Sequence, residues 1–296
     1  MSSNTVRLLP AVLCAIAVAA CGGSDDGEST ATPAAANATA ASGAVAAVQD
    51  KVPAEVRDKG TLTVAADATY PPDEFIGKDG KTVEGMDPDL AQALATVMGL
   101  KADVKNATFD SIIPGLAAHK FDLGMSSFTD TKEREQTVDF VTYFSAGTSF
   151  YVNADGGPAV NGLADLCGKT VAVEKGTTQQ NDAEAQGKKC KLTVLTFPDQ
   201  NGANLALSSG RAQVGMADSP VADFQVKQSS GKFKIVGQAY GTAPYGIAIP
   251  KDTGMTPAVE AAMKEIVSNG EYAKILDKWG LASGAIQTPV VNGATS

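Results

Sequence analysis

The sequence predicts an α/β protein of two lobes, each a mostly parallel sheet flanked by helices, joined by two hinge crossings. Three observations lead there. Strand-like and helix-like runs alternate from about residue 55, the alternation breaks at Gly156-Gly157-Pro158 and restarts, and two amphipathic helices remain near the C-terminal end. Repeated strand–helix units predict parallel sheets covered by helices. The second block lacks closing helices while the chain end has two to spare, so the C-terminal part is expected to return to the first lobe. The chain then crosses between lobes twice, near 149–153 and near 243–249, and such a double connection is a natural hinge with a cleft between the lobes.

In the first block, Thr61–Ala66 reads as a buried strand. Asp87-Pro88 reads as a helix start, a capping Asp followed by Pro at the first helical position. Leu90, Leu94, Val97 and Met98 share one face of that helix and Gly99 closes it. Ala102–Val104 is a weak strand, Asp110–Ala118 a short helix containing Pro114, and Phe121–Met125 a strand. Apolar runs follow at Val138–Phe144 and Thr148–Val152. In the second block, Thr170–Val173, Leu192–Phe197 and Gln213–Ala217 read as strands. A helix opens at Gly176-Thr177-Thr178-Gln179, and another spans Ala203–Ser209. Gly246–Pro250 is the last strand. Val259, Met263 and Ile266, then Tyr272, Ile275, Leu276 and Trp279, mark the C-terminal helices, ended by Gly270 and Gly280. The resulting domain plan is 55–150 plus 247–281 for lobe 1, 151–246 for lobe 2, and a loose tail at 282–296.

The N-terminal segment reads as an address. After Arg7, Leu8–Ala20 is apolar apart from Pro10, too short to span a bilayer and suited to the core of a signal peptide at 1–20. It ends in Val18-Ala19-Ala20-Cys21, which resembles a bacterial lipobox whose Cys21 is lipidated; two or three acyl chains hold a protein on a membrane where one does not. Residues 21–54 follow as a flexible tether, rich in Gly, Ser, Thr and Ala, with a mean span of roughly 30 Å for the Gly22–Gln49 stretch. Such a protein is lipid-anchored on the extracellular or periplasmic side, in an oxidising compartment. Cys14 is lost with the signal peptide and Cys21 is modified, so Cys167 and Cys190 are expected to pair.

Composition excludes several functions. The 296 residues carry 24 Lys plus Arg against 33 Asp plus Glu, a net charge of −9, without a basic block for nucleic-acid phosphates. One His and four scattered Cys offer no zinc-type ligand set, and no phosphate loop or nucleophile elbow is present, so neither metal nor cofactor is expected. His119 reads as a surface residue.

Asp67-Ala-Thr-Tyr-Pro-Pro72, Gly85-Met-Asp-Pro-Asp-Leu90, Phe109-Asp-Ser-Ile-Ile-Pro-Gly-Leu116, Asp122-Leu-Gly-Met-Ser-Ser127 and Arg134…Val138-Asp139-Phe140 together resemble the family 3 extracellular solute-binding proteins, the polar amino-acid receptors of ABC importers. The resemblance runs from about Gly60 to Gly280. Each motif is weak alone; their order and spacing are specific. The resemblance implies a two-lobe periplasmic-binding-protein-like fold of type II.

It also implies a ligand site. Arg134 falls on the ligand α-carboxylate, which a planar guanidinium grips with two parallel hydrogen bonds. Ser127, Thr129 and, less closely, Ser126 follow a strand end, where open α/β sheets bind ligands. Thr178 opens a helix whose free N–H groups favour an anion. Asp218 matches the acid that pairs with the ligand ammonium, although residue chemistry alone also allows it to cap a helix at Ser219-Pro220. Tyr70 and Phe109 match the aromatic pair flanking the ligand. Asp73 departs from the pattern, because many relatives carry an aromatic there. With Asp67 and Glu174 it forms a set of side-chain pocket candidates that favours a cationic or hydrogen-bonding ligand side chain.

The expected function is therefore a membrane-anchored monomer that captures a small polar amino acid and delivers it to an ABC transporter permease, and not catalysis. Two alternatives share the fold: a cleft enzyme of the cyclohexadienyl dehydratase type, with Glu174 as general acid, or a ligand sensor for a membrane kinase.

Overall fold

The computed structural model describes residues 45–295. The signal peptide, Cys21 and the tether up to residue 44 lie outside the described residues. The larger sheet contains β1 (Thr61–Ala66), β5 (Lys101–Asn106), β6 (Leu123–Gly124), β7 (Val138–Asn153), β8 (Thr170–Glu174), β9 (Thr193–Phe197), β10 (Val214–Asp218) and β11 (Phe233–Pro250), in the order β5-β1-β6-β11-β7-β10-β8-β9. β1 pairs in parallel with β5 and β6, and β8 in parallel with β9 and β10. A small antiparallel sheet of β2 (Thr69–Tyr70), β3 (Glu74–Ile76) and β4 (Val83–Glu84), not anticipated from sequence, sits beside them.

The architecture is the expected α/β one, two lobes around parallel strands flanked by helices, with one difference in how the lobes connect. The two crossings are not short links. β7 and β11 run antiparallel to each other through both lobes, from the pair Val138/Pro250 to Asn153/Phe233. The sequence shows only the ends of these strands, because Ser145–Gly147 and Gly237–Pro244 interrupt the apolar pattern. Register shifts fall between Val236, Tyr240 and Ala243, where Gly237 and Gly241 take positive φ values of 68° and 63°. Glycine adopts that backbone at no steric cost, so the irregular pairing at the lobe junction is built into the sequence.

The first core joins β1, β11 and the first part of β7 to the helices Met86–Val97, Thr256–Ser268 and Glu271–Trp279, through Leu62, Leu90, Leu94, Ile247, Val259, Met263 and Leu276. The C-terminal helices thus cover the first-lobe half of the sheet. Separate small cores lie under β8 and β10, around Val171, Val173, Val214 and Met216. Cys167 and Cys190 form a disulfide with Cα atoms 5.7 Å apart, tying the approach to β8 to the end of the helix Thr178–Gly187.

Three expectations need correction. The tether does not stay free to residue 54: residues 45–49 are helical, and Val48 and Val52 are buried in the first core. The tail 282–296 is not loose. Val290 and Asn292 exchange backbone hydrogen bonds with Thr142 and Phe140, and Gly293 and Ala294 donate to the carboxylates of Asp130 and Glu135. It covers the edge that β7 would otherwise expose in this lobe. Asp87 does not cap its helix: Gly85 holds the N-cap position, and the Asp87 carboxylate turns inward from the first turn.

Deleting residues 286–296 removes eight hydrogen bonds to lobe 1. At about 0.5–1.5 kcal/mol each, less the chain entropy released, a loss of about 2–5 kcal/mol is expected in denaturant unfolding. Wild-type stability in the truncated chain would show that the strap bears no load.

Candidate functional site

The first-lobe side of the site grows from the end of β6. Ser127, with φ of 51°, sits three residues past that short buried strand, held by its N–H to Asp87 Oδ2 (3.0 Å) and its Oγ–H to Asp73 Oδ2 (2.9 Å). Thr129 bridges to Tyr245 on β11. Five residues on, a single 3-10 turn begins at Arg134. The guanidinium donates through Nη1 to the Thr129 carbonyl (2.8 Å) and through Nη2 to the Gly176 carbonyl of the second lobe (2.9 Å). It also lies over the rings of Phe109 (5.3 Å) and Phe128 (5.4 Å), which stack at 4.4 Å. Tyr70 meets Phe109 edge-on at 5.9 Å. Burial pulls the Arg134 pKa down from its ordinary value, and the charge of Asp218 opposes that pull.

The second-lobe side comes from two helix starts. Thr177 is the N-cap of Thr178–Gly187, accepting from the Gln180 N–H (3.1 Å), so the capping role falls one residue before Thr178. Thr178 is left to line the cleft at the positive end of the helix. Asp218 ends β10 and precedes the helix Ser219–Gln228, yet its side chain makes no capping hydrogen bond. Its oxygens accept from Gln179 Nε2 (2.6 Å) and Tyr245 Oη (2.8 Å). Burial raises Asp218 to about 6, opposed by those two hydrogen bonds and by Arg134.

These residues converge on one space between the lobes, lined by Tyr70, Phe109, Ser127, Thr129, Arg134, Thr178 and Asp218, all named from sequence. Thr177, Gln179, Gln200, Ala217 and Val221 complete it and were missed. Gln179 and Gln200 lie in the first turns of helices capped by Thr177 and Asp199. The helix opening at Gly176–Gln179 was legible, whereas the second was read only from Ala203 and its Asp199 cap was missed; which neighbour faces the cleft depends on helix phase. Further cross-lobe contacts join Lys175 to Asp110 (2.8 Å) and the Gln200 N–H to Thr69 Oγ1 (3.3 Å), so the lobes are closed on each other.

The other candidates lie behind the lining. Ser126 is wholly buried, accepting from the Asp67 N–H and donating to Glu74 Oε1. Asp73 does not reach a side-chain pocket: it is wholly buried behind Ser127, because the turn between β2 and β3 packs on the start of the Met86–Val97 helix. Asp67 accepts from Thr69 Oγ1 (2.7 Å) and the Phe109 N–H (2.9 Å). Glu174 is 1% exposed, and among the described residues neither of its oxygens has a hydrogen-bond partner, nor does the buried Tyr70 hydroxyl. Burial, reinforced by the Asp67 charge, pushes Glu174 up to about 9. Asp67 and Glu174 are therefore acidic neighbours of Tyr70, set behind the residues that line the space. His119 is exposed.

The site can hold a small zwitterion: a fork of donors from one lobe, an acceptor from the other, and aromatic faces between. Residues 62–282 match the model of the bacterial extracellular solute-binding proteins, family 3. The arginine-binding protein ArgT of Corynebacterium glutamicum is 34% identical over 83% of this chain and 82% of its own. An L-arginine-binding protein of Pseudomonas aeruginosa is 32% identical over 80% and 94%. Among solved structures, an ancestral arginine-binding protein bound to arginine superimposes with a TM-score of 0.71 at 37% identity, covering 74% of this chain and 98% of that one. These relatives are named as binding proteins, although an ancestral amino-acid-binding protein described as a precursor of cyclohexadienyl dehydratase is also similar, with a TM-score of 0.70 at 36% identity over 76% of this chain and 97% of that one. From the match over 62–282, the two-lobe fold and the cleft between the lobes, this chain belongs to the family 3 extracellular solute-binding proteins.

Proposed function

We propose that the protein captures an amino acid with a cationic side chain, arginine foremost, between its lobes and delivers it to an ABC importer, held at the membrane by lipid on Cys21. One observation carries the reading: Arg134 and Asp218, from different lobes and of opposite charge, line the same closed space. Arg134 takes the α-carboxylate, with Ser127, Thr129 and the helix start at Thr178 adding donors. Asp218 takes the α-ammonium, and Tyr70 and Phe109 flank the aliphatic part. A ligand that bridges both lobes has differential affinity for the closed state, as ligand-driven closure requires. Micromolar affinity, about −8 kcal/mol, is within reach of two charge pairs and one stacked side chain.

The choice of a cation rests on Glu174 and Asp67. A buried carboxyl without a partner is costly, and an incoming guanidinium or ammonium supplies both the counter-charge and the hydrogen bonds. The arginine-binding relatives support the same choice. The dehydratase alternative has one observation in its favour, a Glu174 raised to about 9 and hence able to donate a proton at neutral pH. Against it stands Asp218, whose negative charge suits an ammonium rather than a cyclic polyacid.

A thermal-shift screen of the common amino acids should show the largest rise in melting temperature with arginine, by mass action. Calorimetry on Arg134→Ala should show a loss of roughly 2–5 kcal/mol of arginine binding, because the desolvated carboxylate loses its partner. An unchanged dissociation constant would remove Arg134 from the site.

Glu174 gives a pH prediction. Its folded value, about 9, lies above the ordinary glutamate value of 4.5. The linked stability is therefore fully present below about pH 4.5 and is lost progressively as pH rises to about 9. In the ligand-free protein, Glu174→Gln should gain up to about 3 kcal/mol relative to wild type between pH 4.5 and 7, while binding arginine more weakly. Parallel pH–stability curves for the two proteins would contradict the assignment.

A further inference from the structure

Asp73, the residue that departs from the aromatic of many relatives, does not touch the cleft. It touches the residue that does. Ser127 lines the space between the lobes, its N–H is already given to Asp87, and its single hydroxyl proton points to Asp73 Oδ2 at 2.9 Å. A serine hydroxyl has one hydrogen. While Asp73 is ionised it keeps that hydrogen, and Ser127 offers the cleft only lone pairs, which repel a ligand carboxylate. A protonated Asp73 can instead donate to Ser127 Oγ, and the Ser127 hydrogen is released toward the ligand. The other oxygen of Asp73 is fully buried and, among the described residues, has no partner, so Ser127 alone supports the ionised form; the proton that switches Ser127 is the one carried on Oδ2.

Resting on the reading of the site as an amino-acid receptor, we propose that Asp73 is a positioning residue for Ser127: it takes up one proton from solvent as the lobes close on the ligand, switching from acceptor to donor and turning the Ser127 hydroxyl toward the bound carboxylate.

The surroundings of Asp73 favour this. Asp87 faces it from the start of the Met86–Val97 helix, itself accepting from Tyr143 of β7 (2.7 Å). Glu74 is its neighbour on β3, and Ser127 Oγ lies between the two carboxyls, 3.5 Å from Glu74 Oε2. Asp218 acts on it from the opposite lobe, with Tyr245 of β11 hydrogen-bonded to that carboxylate. Among the described residues no Lys or Arg forms an ion pair with Asp73, Glu74 or Asp87, and the Arg134 guanidinium is engaged by the Thr129 and Gly176 carbonyls. Burial first, then the Asp87 charge, holds Asp73 well above the usual carboxylate range, and Asp218 adds to the push. Burial within the first lobe and the Asp87 charge act in both states; closure adds Asp218, and that added charge is what raises the proton affinity on closing. The sign follows: the contribution to binding is present at low pH and is lost as pH rises through the closed-state value.

Glu174 acts oppositely, since it ionises on meeting a ligand cation, so the informative quantity is a difference between proteins. Titration calorimetry with L-arginine, in buffers of unlike ionisation enthalpy, counts the protons exchanged on binding. Asp73→Asn donates an amide N–H to Ser127 at every pH. Wild type should take up as much as one proton more per arginine than Asp73→Asn, and its affinity relative to that variant should rise as pH falls, by at most about tenfold per pH unit. Ser127→Ala, which removes the hydroxyl, should lose the extra uptake as well and provides the same comparison should Asp73→Asn fail to fold. Arginine binding with equal proton counts in wild type and variants overturns the proton link and leaves the receptor reading standing. Absence of arginine binding by the wild type overturns both.

Discussion

The guanidinium of Arg134 is the contact on which the rest of the site depends. One nitrogen is tied to its own lobe at Thr129, another to the opposite lobe at Gly176, and its plane rests on two stacked phenyl rings. A lysine could not do this, because a point charge on a flexible stem has neither the fork nor the flat face. The same group that offers a positive charge to the cleft therefore also latches the lobes. Surface pairs such as Lys175–Asp110 add little to that latch, since exposed ion pairs are worth about 0–1 kcal/mol.

Behind the lining of the cleft the chain has concentrated acid. Asp67, Asp73, Glu74, Asp87 and Glu174 are all buried, and the oxygens of Asp73, Asp87 and Glu174 are not all satisfied. Burial pushes each of these carboxyls up, Asp87 and Asp218 to about 6 and Glu174 to about 9. Such groups reduce the stability of the ligand-free fold at neutral pH, and their presence is understandable if a ligand or a proton completes them. The serines divide this acid into two networks: Ser126 connects Asp67 to Glu74, and Ser127 connects the cleft to Asp73 and Asp87.

Two described segments lie outside the span that matches the family, residues 45–61 and those after 282. Both pack on the first lobe. Val48 and Val52 enter its core, and the C-terminal strap pairs with β7 and reaches the turn that carries Arg134 through Asp130 and Glu135. The strap shows no strand or helix period that would reveal this, because its attachment uses backbone groups and carboxylates of distant elements rather than an apolar face of its own.

From sequence alone the alternation of strands and helices, the two blocks, the return of the chain end and seven lining residues were legible, because periodicity, capping residues and motif spacing are local properties. Tertiary structure decided what local pattern cannot. It made two interrupted apolar runs into the long strands β7 and β11, whose pairing partners are about a hundred residues apart. It also chose among side-chain directions: Asp218 toward the cleft instead of its helix, Asp73 behind Ser127 instead of into a pocket, and Gln179 and Gln200 into the lining. A residue's type states which bonds it can make. Which of them it makes depends on the neighbours that packing brings to it from the rest of the chain.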